Sequence, residues 1–151
     1  MTIRDALLPE FDHEMGTTRR LLERVPDDKL GWQPHPKSMT LGRLATHLAE
    51  LPHWAETIIK DSVFEMNPGA FVPKTASSRA DLLKAFDDNV ATARALVAAA
   101  TDAELMATWT MKSGGHDVLC MPKAACWRSF GKDRRPLGCA RRAAESCGRS
   151  G

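Results

Sequence analysis

The groups in this 151-residue chain with chemistry to offer are five histidines, four cysteines and a few glutamates on amphipathic segments. His47 stands out by position. At about 100° per helical residue, it falls at the edge of an apolar stripe, beside Leu51, Trp54 and Ile58. A neutral imidazole there can reach the mouth of a helical bundle and ligate a divalent ion. The same position also suits a partly buried histidine satisfied by a backbone carbonyl or a carboxylate. His53 projects from the opposite side of that helix and His13 lies off the stripe of the first, so both read as surface residues. His35 sits in a proline-rich connector and His116 beside a Gly-Gly turn, with nothing to tie either to a site. Glu14 and Glu50 have acid/base chemistry if they face His47, although acids on amphipathic helices are mostly solvated charges.

The cysteines, Cys120, Cys126, Cys139 and Cys147, have the spacing C-x5-C-x12-C-x7-C. Zinc sites usually open with a C-x2-4-C knuckle, which is absent, and free thiols are the expected state in a reducing compartment. No phosphate-binding loop, dinucleotide fingerprint or Gly-x-Ser-x-Gly elbow is present. Apolar residues at 43% and charged residues at 26% are the composition of a globular domain. No apolar run approaches the ~20 residues that cross a bilayer. The start of the chain lacks the apolar core of a signal peptide, so a cytoplasmic location is expected.

These residues need helices to position them. Leu7, Leu8, Phe11, Met15, Thr18, Leu22 and Val25 recur at helical spacing and predict a first helix over 3–25, ended by Pro26. Residues 31–39 form a connector broken by Pro34 and Pro36. Thr40 caps a second helix to Asp61, with Leu41, Leu44, Ala45, Leu48, Leu51, Ala55, Ile58 and Ile59 inward and Pro52 as an interruption. Residues 66–76 read as a loop. Ser77 or Ser78 caps a third helix to Ala100, and 102–106 add a short turn. Around Gly114-Gly115 the pattern becomes a small hairpin or extended excursion, and Pro122 opens a fourth helix to Phe130. Trp32, Trp54, Trp109 and Trp127 suit core and inter-helix packing.

The order of these pieces resembles the DinB/YfiT-like superfamily over residues 1–130. The resemblance rests on Phe11-Asp12-His13-Glu14-Met15, Leu21-Leu22-Glu23-Arg24-Val25-Pro26, Trp32-Gln33-Pro34 and the run Leu41 to Glu50. It extends to Trp109-Thr110, Gly114-Gly115-His116 and Met121-Pro122-Lys123-Ala124-Ala125. It implies an all-α fold, an up-down four-helix bundle with a short extended excursion before the last helix. It also implies a divalent metal of zinc or nickel type, bound by one histidine of the second helix and a His-x-x-x-His pair of the last. Metal-dependent hydrolysis or thiol-dependent transfer would follow. Only His47 occupies a matching position. The pair belongs within about ten residues of Phe130, and no histidine follows His116.

The last quarter of the chain differs in composition. Residues 1–127 carry 14 basic against 17 acidic side chains, whereas 128–151 carry seven against two, and all four cysteines follow residue 119. Gly131, Pro136, Gly138 and Gly148 interrupt any long helix there. Residues 131–151 therefore read as an atypical basic tail, and a frameshift late in the gene is one origin for it, a diverged terminus the other. The tail lacks the interleaved aromatics of a nucleic-acid binder, so no specific nucleic acid and no membrane partner are expected. Apolar stripes left without a full last helix need a cover, which a second copy in a homodimer would supply. The alternative to an enzyme is a non-catalytic helical module for binding or dimerisation.

Overall fold

The computed structural model describes residues 1–67, 69 and 74–132, with the side chains of 130–132 outside that description. Helix α1 runs Ile3–Leu22, α2 Leu41–Glu50, α3 Trp54–Lys60, α4 Arg79–Ala99, α5 Asp102–Met106 and α6 Lys123–Lys132. Strands β1 (Val63–Met66), β2 (Thr108–Ser113) and β3 (His116–Pro122) form one sheet in the order β1-β2-β3.

Local chemistry accounts for the helix boundaries. Thr2 and Asp5 form a reciprocal capping box at α1, as Thr101 and Glu104 do at α5. Thr40 caps α2 and Ser78 caps α4 through their hydroxyls. Pro52 has no N–H to donate, and the expected second helix divides there. A 3₁₀ turn over Leu51–His53 separates α2 from α3. The first helix stops at Leu22 rather than Val25, and α6 begins after Pro122, which is the last residue of β3. Gly131 does not end α6, whose backbone continues to Lys132.

The all-α expectation is overturned by the sheet. The hairpin of β2 and β3 turns at Gly114 and Gly115, both with positive φ (58° and 79°), as a tight two-residue turn requires. A third strand, β1, pairs with β2 in parallel, Val63 opposite Thr110 and Met66 opposite Ser113. Four residues with only Val63 and Phe64 as strand formers give almost no period-2 signal. The pairing is fixed by the backbone and by Phe64, whose ring lies parallel to that of fully buried Trp109 at 6.4 Å. The fold is therefore an α/β mixture, with the sheet at the end where α3 stops and α6 starts.

The up-down order is also corrected. Arg79 at the start of α4 donates to the Glu23 and Val25 carbonyls beyond α1, while Arg4 near the start of α1 reaches the Ala98 carbonyl. Thus α4 runs antiparallel to α1. The start of α2 lies on Leu30, and the end of α3 meets Lys123 at the start of α6. The α2–α3 pair consequently runs the same way as α4, and the chain doubles back between Asp61 and Ser78. One core joins these helices to the sheet: Leu7, Phe11 and Leu22 of α1, Ala45 and Ile58, Leu82, Phe86 and Val97 of α4, Trp109, and Trp127.

Candidate functional site

The N-terminus of α2 is pressed against its neighbours. The Gly42 N–H donates to the Leu30 carbonyl at 2.8 Å, and a Cβ on Gly42 would lie 2.9 Å from that oxygen. Thr46, itself buried, donates to the Gly42 carbonyl at 2.7 Å and accepts from the Ala76 N–H at 2.8 Å. Near the proline break, the Asn89 amide of α4 donates to the Ala49 carbonyl at 2.9 Å. These bonds fix one side of α2 on α4 and on the 74–76 segment, with Gly42, Ala45, Thr46 and Ala49 buried.

His47 lies off that buried side, half-buried. Arg43 and Glu50 flank it at i−4 and i+3, a spacing that brings all three to one helix face. The Arg43 guanidinium donates to the Lys74 carbonyl at 2.9 Å and stands 3.5 Å from the Glu50 carboxylate. Burial pushes the His47 imidazole below its ordinary pKa, the Arg43 charge pushes the same way, and Glu50 opposes them. His47 is therefore neutral near pH 7, with a lone pair available to a metal ion or a proton.

Among the described residues no group of three or more His, Cys, Asp or Glu side chains stands close enough to hold an ion. Glu14 is half-buried on α1. His13, His35, His53 and His116 are all exposed. The His35 Nδ1 accepts from the Lys37 N–H at 3.1 Å, and His53 lies 3.6 Å from Glu56. Cys126 is buried and Cys120 exposed, while Cys139 and Cys147 lie outside the described residues with the rest of the 133–151 tail. The tryptophans divide: Trp109 and Trp127 are buried and Trp54 stands edge-on to Phe64, but Trp32 is 56% exposed and not in the core.

Sequence reasoning passed over Arg43, although its i−4 spacing from His47 is a readable signal. It also passed over Lys123, buried at 6% exposure, whose ammonium donates 2.7 Å to the Ile59 carbonyl at the end of α3. Nothing in the sequence marks that contact, because it spans 64 positions.

Compared with known proteins, residues 10–124 match the model of a family described as the DinB superfamily. The fold is similar to the crystal structure of a DinB-like protein from Bacillus cereus ATCC 10987. The TM-score is 0.61 at 18% identity, over 95% of this chain and 92% of that one. No functionally curated protein matches the chain.

Proposed function

The chain belongs to the DinB superfamily, and from that premise we propose a protein of the metal-dependent hydrolase or thiol-dependent transferase kind whose metal site is incomplete. His47 is its remaining ligand. One observation carries this reading: a half-buried imidazole on α2, kept neutral by burial and by Arg43. A neutral imidazole is the form that binds zinc- or nickel-type ions.

The donor set limits the reading. Structural and catalytic zinc sites use three or four protein ligands, and the described residues bring no group of three such side chains together at His47. They support no metal-assisted step by themselves. When bound, a divalent ion would supply Lewis acidity or lower the pKa of a water or thiol. His47 would hold it, and Arg43 and Glu50 would orient the imidazole and its charge environment.

Metal content of the purified, chelator-free protein, measured by inductively coupled plasma mass spectrometry, tests this. About one transition-metal ion per chain, lost in His47→Ala, supports a site completed by other groups of the chain and an enzyme acting on a small molecule. Absence of bound metal favours the second reading, a non-catalytic helical module that forms a homodimer. The observation behind that reading is the exposure of Leu21, Trp32 and Met39 near the α1–α2 connection. A sharp monomer mass in light scattering at micromolar protein would remove it. No described helix is long and apolar enough to cross a membrane.

A further inference from the structure

At the C-terminal end of α1, Thr17, Arg20 and Leu21 of the helix and Glu23 and Arg24 just beyond it line an open hollow of about 470 Å3. Most arginines of the described chain are engaged by the fold. Arg19, Arg43, Arg94 and Arg128 each meet a carboxylate, and Arg4 and Arg79 donate to backbone carbonyls. Arg20 and Arg24 do neither among the described residues. The Arg20 guanidinium donates to the Thr17 hydroxyl at 3.2 Å, and that hydroxyl in turn donates to the His13 carbonyl at 3.1 Å. The Glu23 carboxylate at the rim is taken by Arg19.

Arg20 lies in the last turn of α1 and Arg24 in the turn that follows it, both bordering one hollow, and two like charges so placed repel unless something negative lies between them. The helix dipole favours a basic last turn. It explains neither the hollow nor Leu21, which lines the same hollow at 54% exposure. An apolar side chain that shares a hollow with two guanidinium groups meeting no carboxylate among the described residues, one of them bonded to a threonine, is complementary to a ligand with a charged end and an apolar body.

We propose that this hollow binds an amphipathic anion, a carboxylate or phosphate group carried on an apolar chain or ring. The anion bridges Arg20 and Arg24, and the apolar part lies on Leu21. Guanidinium forks match the oxygen geometry of both anions and bind them bidentately. None of the lining residues belongs to α2, so the site stands or fails apart from His47 and its metal.

Hexyl phosphate, titrated into the full-length protein and followed by calorimetry and by amide chemical shifts, tests this. The expected result is saturable binding with shifts centred on residues 17–24. The Arg20→Gln/Arg24→Gln double variant should lose affinity about tenfold or more, since two charge-assisted contacts are removed. Leu21→Ser should weaken hexyl phosphate while leaving the weaker binding of inorganic phosphate unchanged. All three side chains are exposed, and an unchanged thermal transition in each variant shows that the fold is intact. Non-saturating titration, or equal affinity in the double variant, overturns the proposal. Binding to phosphatidylglycerol vesicles without binding of soluble hexyl phosphate overturns it as well, because that outcome means a charged surface and not a ligand site.

Discussion

Burial of His47 beside Arg43 lowers the affinity of its imidazole for a proton. The folded pKa therefore lies below the ordinary value of 6.5, and the unfolded chain binds the proton first as pH falls. Folding is unpenalised above that value and loses stability as pH drops from 6.5 toward the folded pKa. Urea unfolding of the wild type in chelator, compared at pH 7.5 and 5.5, should show a larger loss than His47→Gln. Equal losses would mean that the imidazole is not desolvated. Gly42 gives a second test at this scale. Alanine is the better helix former by about 1 kcal/mol, yet its Cβ would meet the Leu30 carbonyl and the Thr75 methyl at 2.9 and 3.0 Å. Overpacking of this kind costs about 1–3 kcal/mol, so Gly42→Ala should lower the urea midpoint.

The elements are joined at points that single residues control. Lys123 fastens α6 to the last turn of α3 through the Ile59 carbonyl, near the negative end of that helix's dipole. Lys123→Met keeps much of the side-chain volume but leaves the carbonyl unpaired. A loss of about 1–3 kcal/mol in chemical denaturation is expected, and a neutral effect would show that water replaces the ammonium. The β2–β3 turn depends on Gly114 and Gly115 at positive φ. Gly115→Val places a β-branched residue where L side chains are strained, at about 1 kcal/mol or more. Because β1 pairs with β2 beside this hairpin, the thermal transition of the whole domain should fall, not only the order of the turn.

At the scale of the molecule, α4 is the element packed against α1, α2 and α3 alike. Its Leu82, Phe86, Ala93 and Val97 are exposed by 2% or less. Amides that open only on global unfolding should therefore cluster between Phe86 and Val97 in hydrogen exchange. Those of β1, an edge strand of four residues, should exchange earlier. Protection in β1 equal to that in α4 would contradict this division. Bidentate ion pairs from Arg19 to Asp87 and from Arg94 to Asp12 tie α1 to α4 on the surface, where solvent screening leaves the apolar core to set stability.

The sequence by itself determined the helices with strong caps and a 3.6-residue stripe, the break at Pro52, the Gly-Gly hairpin and the family. Each of these depends on neighbours within a few residues. It also marked His47, because helical spacing alone puts that residue at the rim of a stripe. It did not determine β1, whose four residues become a strand only by pairing with a segment 47 positions later, Val63 with Thr110. Nor did it determine that α2–α3 and α4 run the same way, which the contacts of Arg4 and Arg79 between α1 and α4, of Gly42 with Leu30 and of Lys123 with Ile59 decide together. The burial of Lys123, the exposure of Trp32 and the pair Arg20 and Arg24, which meet no carboxylate among the described residues, are of the same kind. Propensity and periodicity record what a residue's neighbours in the chain favour, whereas burial and charge compensation are set by segments that only the folded chain brings together.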